Sequence, residues 1–327
     1  MPQHESAKDK ILRYLEENSS VTINDAYKDL GNSRQLMHRY LASLVKEGRV
    51  SKTGRPPKVY YYLSDKNPEN VTEVKIPAPI KRYIDKHYFM ITPLGEIKPG
   101  SEGFIEWCRT RNLPVEKTAL EYKKTLDKYL AHNKGGFING MSKMKSTFDN
   151  VYVDAIYYLD FYSIERFGKT KLGTKLLYAK QSQNARLIRE MSDEINPKIN
   201  MLIEKEKADA IGFIPPTVKR ETQIMKELQR NLNTNLPVIK IIKIKSDVAV
   251  PQKTLNKLAD RIENAKMTIM IDDKRSFNKV LLIDDAVGSG ATINETAKSI
   301  KQKGVAQKVI GLAITGSYKG FDVISEV

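Results

Sequence analysis

Residues 279–293 read KVLLIDDAVGSGATI and are the most informative part of this chain. The apolar run Val280–Ile283 ends in the adjacent carboxylates Asp284 and Asp285, and a loop rich in glycine and hydroxyl residues follows. Residues 294–300 then have the pattern of a helix start. A buried strand that leads through a short loop into a helix N-terminus forms an anion site. The reason is that the first N–H groups of a helix lack intrahelical partners and the helix dipole is positive there.

The two carboxylates distinguish this stretch from a simple phosphate loop. Asp284 and Asp285 can bind a pair of sugar hydroxyls or a magnesium ion. A phosphate site beside a diol site matches the chemistry of a phosphorylated ribose. The stretch has neither the GxxxxGK[ST] pattern of a Walker loop nor the third glycine of a GxGxxG dinucleotide loop. A buried strand that ends in a solvated Asp-Asp turn is the alternative that requires no ligand.

The same residues resemble the motif with which type I phosphoribosyltransferases bind phosphoribosyl pyrophosphate (PRPP). That motif is an aliphatic strand, two acids, two aliphatic residues and [ST]-[ST]-G-x-[ST]. Here Ala286 stands where a larger aliphatic residue is usual, and Gly288 stands where a hydroxyl residue is usual. The resemblance implies that Asp284 and Asp285 are the catalytic acids, facing the ribose hydroxyls and Mg²⁺. It also implies that the 5′-phosphate is wrapped by Ala286, Val287, Gly288, Ser289, Gly290, Ala291 and Thr292.

The composition indicates a protein with polyanionic partners. The 327 residues include 55 Lys and Arg against 39 Asp and Glu, a net charge of +16. Such a charge favours nucleic acid or pyrophosphate-bearing substrates. The single cysteine, Cys108, excludes an internal disulfide framework and suits a reducing compartment. Because the sequence shows no signal region and no apolar membrane span, we expect a cytoplasmic protein without a membrane partner.

Residues 1–64 have the pattern of a winged helix-turn-helix domain, with three amphipathic helices followed by a hairpin that has a basic tip. Between Asn32 and Tyr60 there are seven basic residues against one acid, Glu47. In DNA-binding members the third helix meets base edges and the wing meets the backbone or minor groove. Other winged helices mediate dimerisation or protein contacts, and the sequence leaves that alternative open. The residues predicted to contact double-stranded DNA are Arg34, Gln35, His38, Arg39, Lys52, Arg55 and Lys58.

The remainder of the chain divides into an uncertain segment and an α/β domain. Residues 65–150 begin with a polar linker and show no chemistry, so we expect a coupling region or the interface of a homodimer. Residues 151–327 alternate predicted strands with predicted helices, which is typical of a parallel sheet. Ligands bind such sheets at the carboxyl ends of the strands. The predicted fold class is therefore α/β, a parallel-sheet type I phosphoribosyltransferase fold with an N-terminal winged-helix domain.

Four segments between residues 151 and 315 are similar to ComF-like phosphoribosyltransferase family proteins associated with DNA uptake. Besides the PRPP motif, these are residues 210–220, residues 250–264 and a lysine-containing segment at 168–181. Residues 250–264 resemble that family's Gln-x-x-Leu…Arg-x-x-Asn pattern, with one extra residue between Leu255 and Arg261. Residues 246–276 are polar and fall where type I enzymes carry a mobile lid. We expect three basic residues to clamp the leaving pyrophosphate: Lys219, Arg220 and Lys253. Each of them is equally compatible with the alternative, a basic surface residue without a role.

Three functions remain open at the level of sequence. The favoured one is an enzyme that transfers ribose 5-phosphate from PRPP, with Mg²⁺, to a nitrogenous acceptor and releases pyrophosphate. The second is a non-catalytic, PRPP-sensing transcriptional regulator, because purine-operon repressors join the same two parts in the same order. The third is a ComF-type accessory that handles DNA. The last predicted strand ends near Thr315, and the few residues after it leave little room for a base-binding hood. That shortage favours sensing or an unusual acceptor.

Overall fold

The structure, a computed structural model, divides into two compact units, Met1–Ile76 with Pro93–Gly95 and Pro77–Thr92 with Glu96–Val327. Each unit is described separately. At residues 53–55 and 58 only the backbone is described. In the part of the chain that is described, no helix is long and apolar enough to cross a membrane. The described residues are 6–18, 21–31, 33–55, 58–64, 76–111, 113–216, 218, 220–232, 234–244, 250, 254–255 and 257–318.

The smaller unit combines three helices with a three-stranded antiparallel sheet of order β1-β3-β2. Thr22 and Asp25 form a capping box at the start of its second helix, and Gly31, with φ of 68°, ends that helix. Ser33 caps the third helix by accepting a hydrogen bond from the N–H of Leu36. The elements are α1 (Ala7–Glu17), β1 (Val21–Thr22), α2 (Ile23–Leu30), α3 (Arg34–Lys46), β2 (Val50–Arg55) and β3 (Lys58–Leu63).

One apolar core holds the smaller unit together. Ile11 and Leu15 of α1, Ala26 of α2 and the buried stripe of α3 meet at this core. Because Met37 and Leu41 lie four residues apart, they fall on one face of α3 and are fully buried. The opposite face of α3 is consequently left in contact with solvent.

The larger unit begins with four helices and two short antiparallel pairs. Aromatic side chains form much of its first core, with the ring of Tyr88 edge-on to those of Phe104 and Tyr122 at 5.2 and 5.6 Å between centroids. The elements of this part are α4 (Ala78–His87), β4 (Phe89–Ile91), β5 (Ile97–Pro99), α5 (Gly100–Arg109), α6 (Val115–Leu130), β6 (Asn133–Lys134), β7 (Phe137–Asn139) and α7 (Met141–Thr147).

The rest of the larger unit alternates strands with helices. Its elements are β8 (Ala155–Phe161), β9 (Ser163–Ile164), β10 (Gly168–Lys169), α8 (Lys171–Ser182), α9 (Ala185–Glu206), β11 (Ala210–Phe213), α10 (Ile224–Asn231), β12 (Ile241–Lys243), α11 (Leu258–Thr268), β13 (Ile269–Ile271), β14 (Phe277–Val287), α12 (Ala291–Gln302) and β15 (Ala306–Gly316). The central sheet has six strands in the order β11-β14-β15-β8-β7-β6. The first four of these strands are parallel, and β7 and β6 are antiparallel.

Helices cover both faces of this sheet. On one face, residues of α8, α9 and α10 share a core with Leu281 and Ile283 of β14. On the other face lies α12, whose Ile293 would be 2.9 Å from a Cβ added at Gly311 of β15. Helix α11 packs against α12. This double cover explains why residues 280–283 form a continuous apolar run, with all four side chains fully buried.

The structure confirms the α/β class and the mostly parallel sheet that the alternating pattern predicts. The α/β region is larger than the predicted 151–327, because β6 and β7 extend the sheet by pairing with β7 and β8, respectively. The segment expected to form a lid, residues 246–276, contains α11 and β13 within its described part. Strand β13 pairs with β12, so this part of the segment has regular structure.

Candidate functional site

The loop after β14 is shorter than the sequence suggests. Strand β14 continues beyond the two acids, because Ala286 pairs with Thr315 and Val287 pairs with Gly316 of β15. Helix α12 begins at Ala291. Of the seven residues predicted to wrap a phosphate, two therefore belong to the strand, Gly288, Ser289 and Gly290 form the loop, and two lie in the first helical turn.

The backbone at this turn requires glycine at position 290. Gly290 has φ of +89°, a conformation that L side chains rarely adopt. A Cβ at this position would lie 2.5 Å from the Sδ of Met144, which is fully buried. The first intrahelical hydrogen bond of α12 runs from the N–H of Asn294 to the Gly290 carbonyl at 2.9 Å. The N–H groups at 291–293 therefore precede the helical ladder, at the positive end of the helix dipole.

A cleft that is open to solvent lies at this helix start, and it spans roughly 330 Å³ of non-atom space with the open solvent included. Its lining is almost entirely one continuous stretch of chain, which suits a ligand that contacts backbone N–H groups. Asp284 contributes the carboxylate of this lining, and Arg261 of α11 contributes the guanidinium. The lining residues are Arg261, Asp284, Ala286, Val287, Gly288, Ser289, Gly290, Ala291, Thr292 and Ile293.

The two acids lie on opposite faces of β14, because consecutive side chains of a strand alternate. Asp285 faces α8, where its carboxylate lies 2.8 Å from the Nζ of Lys180. Asp284 faces the cleft. Burial, and then the charge of Asp285, raise the pKa of the Asp284 carboxyl well above its usual range. Two effects lower the pKa of Asp284 in opposition to these. The N–H of Asp285 donates to the Oδ1 of Asp284 at 2.8 Å, and the positive charges of Lys180 and Lys243 stabilise the Asp284 carboxylate.

Two lysines from distant elements therefore compensate the pair of acids. Lys180 lies on α8 and Lys243 on β12. Burial lowers the pKa of Lys243, and the neighbouring charge of Asp284 opposes that shift. Sequence reasoning notes Lys180 only as part of a loosely matching segment and overlooks Lys243. The one sequence signal at Lys243 is a cation at the end of an apolar strand.

Arg261 is the residue of the ComF-like pattern that the structure brings to the cleft. Its side chain is only 5% exposed, and its Nε donates to the Leu255 carbonyl at 2.7 Å. Burial lowers the pKa of the Arg261 guanidinium, which nevertheless stays charged at any physiological pH. A buried guanidinium beside a helix N-terminus adds positive charge to an anion site.

The predicted pyrophosphate clamp is described only in part. Lys219 and Lys253 lie outside the described residues. Arg220 is half-buried and is not among the residues that line the cleft. Its backbone carbonyl accepts a hydrogen bond from the side-chain amide of Gln223 at 2.9 Å. Within the described chain, Arg261 is thus the guanidinium placed at the cleft.

Magnesium fits the cleft only when it is bound together with a ligand whose phosphates also coordinate it. Among the described residues, no cluster of three or more His, Cys, Asp or Glu side chains forms a metal site. The carboxylates of Asp284 and Asp285 project to opposite faces, so they do not converge on one ion. Mg²⁺ commonly keeps its waters and uses one or two carboxylates together with substrate phosphates. Asp284, at the cleft, is the side chain that fits this role.

The predicted DNA-contacting residues of α3 lie on its solvent face. All four side chains, Arg34, Gln35, His38 and Arg39, are exposed, and so is Lys52 on β2. None of the ion pairs between described residues involves Arg34, Arg39 or Lys52. The side chains of the remaining two predicted residues, Arg55 and Lys58, lie outside the described part of the unit.

No protein-family model matches this chain, and no curated protein is significantly similar to it.

Proposed function

We propose that this protein binds PRPP and transfers its ribose 5-phosphate to a nitrogenous acceptor, with release of pyrophosphate. One observation carries the proposal. A strand with two acids near its end passes through a three-residue loop into a helix N-terminus, and one acid and one buried guanidinium share the resulting cleft. We assign the larger unit to the type I phosphoribosyltransferase fold, in its ComF-like form. Its parallel strands and the position of the loop at their carboxyl ends support this assignment.

The parts of PRPP differ in charge, and the cleft offers a different group for each. The 5′-phosphate suits the N–H groups of residues 289–293, as phosphates suit helix N-termini in general. The ribose hydroxyls are donors, and Asp284 is the carboxylate acceptor at the cleft. The pyrophosphate suits Arg261 at the cleft, and the same role for Lys219 and Lys253 stays a prediction from the sequence.

The transfer breaks the bond between ribose C1 and the pyrophosphate oxygen, and the electron pair leaves with pyrophosphate. The acceptor nitrogen supplies the pair for the new C1–N bond and then loses its proton. Catalysis of such a step is mainly positioning and charge stabilisation. Mg²⁺, when bound with the ligand, neutralises charge on the leaving group. The carboxylate of Asp284, at the cleft, favours the positive charge that develops on the ribose.

Calorimetric titration of PRPP with Mg²⁺ into the full chain tests the binding. We expect Asp284→Asn to lose at least tenfold in affinity, because it removes an acceptor and a charge from the cleft. Asp193→Asn, an exposed carboxylate on α9, is the matched control and keeps wild-type affinity. Failure of the wild-type protein to bind PRPP overturns the proposal. Pyrophosphate release in the presence of purine bases, pyrimidine bases or DNA then identifies an acceptor.

The exposed cations of the smaller unit favour a second candidate, a DNA-binding protein. Arg34, Arg39 and Lys52 are exposed and outside the described ion pairs, as expected of phosphate-contacting residues. A non-catalytic regulator and a ComF-type DNA-handling accessory both fall within this candidate. Binding of PRPP without pyrophosphate release, together with an effect of PRPP on DNA affinity, selects the regulator. DNA affinity that is independent of PRPP selects the accessory.

A further inference from the structure

Helix α7 packs directly beneath the loop that follows β14. Lys143 of α7 extends its Nζ to two backbone carbonyls, that of Gly288 at 2.7 Å and that of Ser317 at 3.1 Å. The next residue of α7, Met144, lies against Gly290. The helix thus contacts both ends of the three-residue loop. Residues 141–147 belong to the segment in which the sequence shows no chemistry.

The two carbonyls lie on adjacent strand ends. The N–H of Ser317 donates to the Val287 carbonyl at 3.1 Å, which joins the end of β15 to the end of β14. One residue further along both strand ends, Lys143 joins them again by donating to the carbonyls of Gly288 and Ser317. A half-buried ammonium that donates to two carbonyls forms charge-assisted hydrogen bonds, which are stronger than neutral ones.

The bond to Gly288 determines where the next N–H points. In a trans peptide the C=O of one residue and the N–H of the next lie in one plane and point in opposite directions. Because the Gly288 carbonyl is directed at Lys143, the N–H of Ser289 is directed away from Lys143. Gly288 and Ser289 line the cleft, whereas Lys143 does not. The lysine therefore directs this N–H away from itself, and it does not occupy the cleft.

We propose that Lys143 is a positioning residue of this loop, which orients the Gly288–Ser289 peptide toward the 5′-phosphate of the ligand. The inference rests on the proposed function, because it takes the loop to be the phosphate site. Loss of Lys143 frees the peptide to rotate, and the loop then loses a donor and part of its positive potential. The effect is confined to the phosphate end of the ligand, since Arg261 lies on another helix, α11, and is held by the Leu255 carbonyl.

Three variants of the full chain test this role. Lys143→Met keeps the length of the side chain but removes its donors, and Lys143→Arg restores donors. Lys145→Met makes the same charge change at an exposed position on the same helix. Affinities are measured by calorimetry for ribose 5-phosphate and, separately, for pyrophosphate. We expect Lys143→Met to weaken ribose 5-phosphate binding at least tenfold and to leave pyrophosphate binding within twofold. Lys145→Met behaves as wild type, and Lys143→Arg recovers most of the lost affinity.

A backbone NMR measurement separates orientation from stability. In the wild-type protein, titration with ribose 5-phosphate shifts the Ser289 amide resonance, and in folded Lys143→Met this shift is lost. Equal ribose 5-phosphate affinities for Lys143→Met and Lys145→Met overturn the inference and leave the proposed function standing. Equal losses of both ligands in Lys143→Met also overturn it, since they indicate general damage. A wild-type protein that binds neither ligand overturns the proposed function, and this inference with it.

Discussion

Gly290 provides a sharp test of the loop geometry, because it combines a left-handed backbone with a tight contact. In Gly290→Ala the left-handed φ costs about 1–2 kcal/mol, and the new Cβ collides with buried Met144 at 2.5 Å. Overpacking of this kind costs about 1–3 kcal/mol. We therefore expect a total loss of about 2–5 kcal/mol in the free energy of unfolding.

Gly304 is the matched control at the other end of α12. Its φ is +70°, and nothing lies within 4 Å of a Cβ built there. Gly304→Ala should therefore show only the backbone loss of about 1–2 kcal/mol. Urea unfolding measures both variants through the single tryptophan, Trp107, which lies in the same unit. Adding Met144→Ala to Gly290→Ala should recover part of the packing loss, as a non-additive double-mutant cycle. Equal losses in Gly290→Ala and Gly304→Ala refute the argument.

Three further predictions concern charge. Asp284→Asn should raise the free energy of unfolding at pH 8 by about 1 kcal/mol or more. Because the pKa of Asp284 is raised in the folded chain, the folded chain holds this proton more tightly than the unfolded chain does. The ionised carboxylate therefore destabilises the fold once the pH rises above the ordinary pKa of an aspartate. A less stable Asp284→Asn contradicts this. For the same reason, PRPP affinity measured by calorimetry should fall when the pH is lowered from about 8 to about 6, as the proton competes for Asp284; a constant affinity contradicts the assignment. Arg39→Ala should weaken DNA binding in a fluorescence anisotropy titration and reduce the salt slope by about 1, whereas Lys10→Ala on α1 changes neither. Equal effects of the two substitutions refute a DNA-contacting face on α3.

Much of the local structure around the site follows from the sequence. The apolar run at 280–283 needs cover on both sides, and only a strand in a doubly covered sheet provides it. Glycine at 290 and the hydroxyl and helix-forming residues after it lead directly to a turn and a helix start. These features can be predicted from the sequence because each depends on residues that are close together in the chain.

The length of β14 could not be predicted from nearby residues. The sequence suggests that β14 ends at the two acids, but pairing with β15 carries it on to Val287. A neighbouring strand supplies the hydrogen bonds that extend β14, and that neighbour is remote in sequence. The same reason applies to β6 and β7, which pattern alone leaves in an uncertain segment and which the sheet recruits at its edge.

The sequence by itself determined the α/β class, the strand–loop–helix unit with its two acids, and the apolar stripe of α3 that leaves Arg39 in solvent. Only the tertiary structure brought Arg261, Lys143, Lys180 and Lys243 to the loop or its acids. The physical reason is the range of the interactions involved. Helix and turn preferences act between near neighbours in the chain, whereas the side chains around a site meet through sheet order and helix packing, which join residues far apart in sequence.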